Sequence, residues 1–420
     1  MNEKCDVAVI GGGSAGVAAS VAAARSGAKV ILIERHGFLG GAGTASLVHT
    51  FCGLYRVDES LTLANPGLPS ELPRRLIADG VAQPPVKMGR VHVLPHHPIK
   101  LAAWFDRLAA ETVGLTVRLH SEVISARVET TQLLEIDYLC RGVRRTLSAS
   151  AFVDASGDAV LAEYAQQKWN HASGDELQRP AFIASLQGVA SSNLQADGPI
   201  RLAGEIAQAV QSGTLPSECL GAHFRGSQNE GEVFVTVDLP GGDTLADFDP
   251  LSADCLSRLE TTGRATIDAL ISRIPQLQNA HVSAWPTRVG IRESRRWSGR
   301  YELTDQDILN SARFDDGIAS ASWPMELRET TRGPRMLYPQ DAQPADIPLR
   351  SLRAASLNNV FTAGRCISTS HRAQASTRVM GTALATGQAA GLAAAFSISH
   401  VDHESLATQV KKALNQGPSD

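Results

Sequence analysis

The chain has 420 residues, 43% hydrophobic and 20% charged, the make-up of a folded protein with two domains or one large composite domain. A net charge of −4 gives no reason to expect nucleic acid or an anionic membrane as partner. Six cysteines without a Cys-x-x-Cys pair argue against structural zinc and a secreted disulfide framework. The first apolar run begins too soon for a signal peptide, and the expected location is cytoplasmic.

That run, residues 6–10, reads as a buried strand. Gly11-x-Gly13-x-x-Gly16 follows and opens a helix of small residues, and a second apolar run, 29–33, ends on Glu34. In such a unit the first glycine permits the tight turn, the second admits a pyrophosphate, and the third lets helix lie close to strand. The helix N-terminus offers unpaired N–H groups to phosphate, and Glu34 stands where an acid accepts from a ribose diol. These features together indicate a dinucleotide site. Beyond Arg35, the adjacent Gly40 and Gly41 suit a loop passing close to a bulky ligand. From Ala42 to residue 54 the chain is small and apolar enough to line a flat ring system, and it carries His49 and Cys52.

Residues 56–98 are proline-rich and read as loop. His92, His96 and His97 lie there without an acid or cysteine at ligand spacing, so no metal site is expected. An amphipathic helix spans 99–112, two strands 116–128, and a hairpin 133–148. Residues 151–158, AFVDASGD, read as a strand tail with Ala155 and Gly157 at a second close approach to ligand. From 164 the pattern changes to strands at 180–188 and 232–238, a helix over 200–212, and a helix begun by Asp249-Pro250 and ended by Pro275. Strands in runs beside helices suggest an α+β domain. No second G-x-G-x-x-G appears, hence no separate nicotinamide-nucleotide domain. Residues 287–307 hold Arg288, Arg292, Glu293, Arg295, Arg296 and Arg300. They are either a salt-bridged surface strand, as charge runs usually are, or the source of an arginine for an acidic substrate group. The chain then returns through an extended segment at 346–352 and a strand at 359–364 ending in Gly364-Arg365. After a loop it enters a helix over 382–396, whose apolar stretch is too short to span a bilayer. The last twenty residues read as an amphipathic, mobile tail.

This return selects FAD over NAD. A tricyclic flavin must be gripped far from its adenosine, and a second helix N-terminus, at Gly381 and Thr382, can stabilise the negative charge of reduced flavin. The blocks VIGGGSAGVAAS with LIERHGFLGG, AFVDASGD, GIRESRRWSGRYELTDQDI, and IPLRSL with NVFTAGRCISTSHRAQASTRVMGTALATGQAAG carry a likeness. They resemble FAD-dependent oxidoreductases of the glutathione-reductase-like superfamily, and within it a bacterial family of that description. The resemblance implies an α/β fold: a Rossmann-like FAD-binding domain of glutathione-reductase type with an inserted α+β substrate domain. The FAD domain would occupy 1–163 and 336–400, the cap 164–335 and the tail 401–420. It implies FAD at Gly11, Gly13, Ser14, Gly16, Glu34, Arg35, Gly41, the Val123 backbone, Ala155, Gly157, Gly364, Arg365, Val379 and Gly381. Ala15, Gly40, Ala42 and Thr382 join them from the same turns. Members of the family resemble RVMPT where this chain has Arg378-Val379-Met380-Gly381-Thr382.

The reaction so implied is hydride transfer between a small organic substrate and flavin N5. His371 would be acid/base, since histidine titrates near neutrality, with Arg378 a charge partner near the flavin and His49 opposite. Rival readings are a monooxygenase forming a flavin hydroperoxide with NAD(P)H or an external reductase, a disulfide reductase using Cys52 and Cys366, and an RNA-modifying or non-catalytic flavin-binding protein. Gly364-Arg365-Cys366 in place of the Gly-Asp-Ala of aromatic hydroxylases speaks against the first, and the acidic balance against the last.

Overall fold

The computed structural model describes residues 2–58, 60–172, 176–190, 194–195, 197–245, 247–330, 333–399 and 402–416. Its main layer is a mixed sheet built outward from the first strand. β1 (Asn2–Ile10) leads into α1 (Ser14–Arg25) and back to β2 (Val30–Ile33). α2 (Pro98–Glu111) crosses to β3 (Leu115–Arg118), and β4 (Ser121–Glu129), β5 (Gln132–Cys140) and β6 (Val143–Asp154) form an antiparallel meander. The order is β3-β2-β1-β6-β5-β4, with β3, β2, β1 and β6 parallel. The end of β1 and all of β2 are buried on both faces, which is why Val7, Ala8 and Val9 run without a polar break.

A second sheet caps this layer. β7 (Ala181–Gln187) is followed by α3 (Gly198–Gln211), β8 (His223–Gly226), β9 (Glu232–Asp238), α4 (Ala253–Arg273) and β10 (His281–Ala284). The strands pair antiparallel in the order β8-β9-β7-β10. Strand alternation divides the faces: Phe182, Ala184, Val233, Val235 and Val237 pack with Leu202 and Ile206 of α3 and Leu259, Ile267 and Leu270 of α4. Ile183 and Phe234 turn the other way, onto Leu47. α4 does not start at Asp249-Pro250. The Asp249 carboxylate accepts from Leu251 N at 2.9 Å and closes a turn, and Ser252 caps the helix by accepting from Cys255 N at 3.3 Å.

The chain then rejoins the main sheet. β11 (Val360–Thr362) pairs parallel with the end of β6, and α5 (His371–Thr377), α6 (Met380–Ser397) and α7 (His403–Gln416) follow. α6 is apolar all round because it is enclosed all round. A Cβ on Gly387 would fall 2.1 Å from Ala15 O, and one on Gly391 2.1 Å from Ala19 O, so only glycine lets α6 cross α1 at this distance. On its other side α1 touches the turn that follows β1 as closely: a Cβ on Gly16 would lie 1.7 Å from Gly11 O.

Three expectations change. The proline-rich 56–98 holds a helix, Leu68–Ala78, and a hairpin of Val86–Met88 with Val91–Pro95 that Thr50–Phe51 extends. Its Pro69 sits in a first turn, where a missing N–H costs little. The loop before α6 is α5, capped by Ser370, and α6 begins at Met380, two residues early. The tail is α7, whose Leu406, Ala407, Val410 and Leu414 are buried in the main core, while 417–420 lie outside the described residues. Among the described residues no single helix is long and apolar enough to cross a membrane; α5 and α6 together pass on length and composition but are bent by 93°.

Candidate functional site

A cavity of about 1410 Å³ runs from the β1–α1 turn to the open face of the cap sheet. Its first end is built for an anion. Gly11 takes φ +96°, and Gly13 is the N-cap of α1 without a side-chain cap. A Cβ on Gly13 would meet nothing nearer than Gly41 Cα at 3.8 Å, and the buried Ser14 Oγ makes no hydrogen bond among the described residues. Free N–H groups, an orphaned hydroxyl and open space fit a pyrophosphate. Glu34 lines the cavity with its carboxylate already fixed, accepting from Gly12 N at 2.6 Å and His36 N at 2.7 Å. Arg35 stands 3.6 Å from Asp158. Ala15, Gly40, Gly41, Ala42, Val123, Ala155, Gly157, Gly364, Arg365 and Val379 also line the cavity. Arg365 Nε donates to Gly157 O at 2.8 Å, and its guanidinium also holds Asp158 and Ile291 O, joining three segments.

Four expected site residues do not reach the cavity. Gly16 serves helix–strand packing, as its place in the motif suggests. Gly381 donates its N–H to Cys52 O at 2.8 Å, and a Cβ there would lie 2.6 Å from that oxygen and from Leu54 N. Glycine at this position thus accommodates the 52–54 backbone and does not contact the ring site. Thr382 is wholly buried beside it; Met380 and Ala383 face the cavity instead. His371 also lies outside the cavity lining. Its Nδ1–H donates to Glu293 at 2.8 Å, and the fully buried Glu293 also accepts from Arg296 at 2.5 Å and Gln178 N at 3.3 Å. It braces a carboxylate. His371→Ala is therefore expected to lower stability by about 1–3 kcal/mol and leave the flavin-reduction rate unchanged, read by thermal unfolding and stopped-flow absorbance.

The cysteines do not pair. Cys366 is buried against Asp154 O at 3.4 Å, whereas Cys52 lines the cavity as a free thiol that burial pushes up to about 12. His97 meets Glu232 at 3.2 Å, His96 approaches Gly43 O at 3.4 Å, and no group of three metal ligands occurs among the described residues.

The segment 287–307 divides its charge between the two ends: Arg288 and Arg295 stand by Asp158 at the dinucleotide end, and Arg292 by Asp238 at the cap end. It is not a surface strand: Arg288, Arg292 and Arg295 line the cavity, and Arg296 is buried on Glu293. Burial pulls Arg288 down to about 10, and Arg35 beside it adds to the shift. Arg292 pairs with Asp238 at 2.7 Å; Arg328 pairs with Asp238 at 2.9 Å and Glu326 at 2.8 Å. Burial raises both carboxyls, but the guanidiniums outweigh it and hold each at about 2. Arg378 lines the cavity and donates to Gln178 Oε1 at 3.3 Å and Glu326 O at 3.1 Å; burial lowers it to about 10. His49 stacks on Phe234 at 4.7 Å and donates Nδ1–H to Leu47 O at 3.2 Å, leaving Nε2 as the lone pair. Burial, then Arg225, keep it neutral, and burial with Arg328 takes His223 to about 4. Arg225, His223, Arg328 and Glu326 escaped the sequence reading; only the alternation of His223 and Arg225 in a short strand could have signalled them.

Comparisons with known proteins agree with this geometry. The model of the family described as FAD dependent oxidoreductase matches residues 6–412. Comparison with curated proteins gave no match. Among solved structures, a geranylgeranyl bacteriochlorophyll reductase-like protein from Thermoplasma acidophilum superposes with TM-score 0.51 at 13% identity, over 99% of this chain and 84% of its own. The p-nitrophenol 4-monooxygenase PnpA from Pseudomonas putida DLL-E4 gives 0.54 at 8%, over 97% and 84%. The flavin-dependent brominase Bmp2 gives 0.52 at 13%, over 98% and 84%. At such identities these establish a shared fold and nothing finer. With the family match over nearly its whole length, the chain belongs to the FAD dependent oxidoreductases, with FAD as its cofactor.

Proposed function

We propose that the enzyme transfers a hydride between a small organic substrate and FAD, with the substrate lying between the flavin end of the cavity and the open face of the cap sheet. The observation that carries this is one continuous cavity. At about 1410 Å³ it exceeds the ~300–1,000 Å³ of a site for one ligand. When bound, FAD supplies a two-electron acceptor.

The chain's residues do the rest. The α1 N-terminus, Ser14 and Arg35 take the pyrophosphate, and Glu34 the ribose. His49 Nε2 accepts a hydrogen bond from the substrate; burial makes it too weak a base to store a proton at neutral pH. On the cap side Ile183 lines the cavity, backed by Phe234 and Leu47. The rival is monooxygenation, the activity PnpA is named for. Anaerobic mixing of the purified yellow protein with candidate organic substrates should bleach the flavin without oxygen. Bleaching only by NADH or NADPH, followed by substrate-dependent oxygen uptake, would favour the rival.

A further inference from the structure

Four guanidiniums crowd the cap end of the cavity, those of Arg225, Arg292, Arg328 and Arg378, against the carboxylates of Asp238 and Glu326. Two positive charges are left over. Arg292 and Arg328 carry the ion pairs. Arg378 meets only neutral acceptors, and its buried Nε has no partner among the described residues. Arg225 is poorer still: its one hydrogen bond there is donated to Met88 Sδ at 2.9 Å, and a thioether is a weak acceptor. His49 and His223 are neutral and supply no anion.

The register makes this deliberate placement. On β8, Arg225 stands opposite Phe234 and His223 opposite Thr236, so both point to the cavity face that also carries Ile183. The carboxylate that acts on Arg225 is Glu326, already paired with Arg328, and not Glu34 or Asp158 of the dinucleotide end. A half-buried cation with no ion pair of its own is costly, and chains keep one where something else completes it. The remaining wall here is apolar, including Val91, Val93, Trp323 and Met336.

Resting on the substrate position given above, we propose that the substrate is a carboxylate with an apolar body. Its carboxylate is held by Arg225 and Arg378, and its body lies against that wall. A guanidinium fork matches a carboxylate with two parallel hydrogen bonds, which fixes orientation as well as charge.

The test titrates the FAD-loaded protein with benzoate and with its neutral isostere benzamide, following the visible flavin spectrum and thermal unfolding. Benzoate should shift the spectrum saturably and raise the melting temperature, and benzamide should bind about tenfold more weakly or worse. Arg225→Met should lose about tenfold or more in benzoate affinity at unchanged FAD content, with Arg225→Lys recovering part. Without ligand, Arg225→Met should melt higher than the parent, because an unpaired cation is gone. Equal binding of benzoate and benzamide, no response to either, or parent-like affinity in Arg225→Met overturns the proposal. A protein that takes up no FAD overturns the reading of the site instead, and the melting-temperature comparison of the two probes still decides the carboxylate.

Discussion

Gly16→Ala is expected to give a colourless and destabilised protein. The added Cβ would lie 1.7 Å from Gly11 O and 2.9 Å from Gly11 C, both backbone atoms of the β1–α1 turn. α1 cannot move away, because α6 lies on its other side with Ala15 O and Ala19 O already where Cβ atoms of Gly387 and Gly391 would be. Overpacking of this kind costs about 1–3 kcal/mol where side chains can adjust, and here only backbone is available. The turn must therefore open, which displaces Gly13 and the N–H groups of α1 from the pyrophosphate. The flavin-to-protein absorbance ratio and a thermal melt read both effects. Gly391→Ala separates them: its Cβ would meet Ala19 O at 2.1 Å, also a backbone obstruction but further along α1 from Gly13, so it should melt early yet still purify yellow. A yellow Gly16→Ala protein would show that α1 can shift without disturbing the ligand turn.

That contrast explains which parts of the molecule were legible in the sequence. The β1–α1–β2 unit was, because its chemistry is local: glycines, an apolar run and an acid must follow one another within one supersecondary unit. The strands at 181–187 and 232–238 were legible for a like reason, since their apolar content has no helical period. The expected helix start at Asp249 failed because a turn and a cap use the same residue types, and Ser252 three residues later won. The placement of His371 was not legible because its partner, Glu293, lies far away in sequence; only the fold shows the imidazole against a buried carboxylate. The charged segment 287–307 left two readings open because solvation is the common fate of such runs, whereas here Asp238, on another element, draws Arg292 inward and Glu293 holds Arg296. The cap face was illegible altogether, as two side chains on a four-residue strand make no pattern.

Asp238→Leu should be the most destabilising single change at the cap end. Its carboxylate, 2% exposed, forms an ion pair with Arg292 at 2.7 Å and accepts a hydrogen bond from Arg328 at 2.9 Å. Removing it leaves Arg292 without an ion pair and Arg328 with Glu326 alone, a loss of about 3–5 kcal/mol for a broken buried pair. The same group sets the acid limb of stability. Asp238 and Glu326 titrate at about 2 in the folded chain and near 3.9 and 4.3 when unfolded. Below neutrality the unfolded chain thus takes up protons first. The contribution of both carboxylates is whole above about pH 5 and is lost as pH falls toward 2. Urea unfolding from pH 6 to 3 should show the parent losing stability steeply and Asp238→Leu, already low, losing it along a shallower line. Parallel lines would mean that the Asp238 carboxyl keeps an ordinary pKa, and that the guanidinium cluster is balanced by something other than this pair.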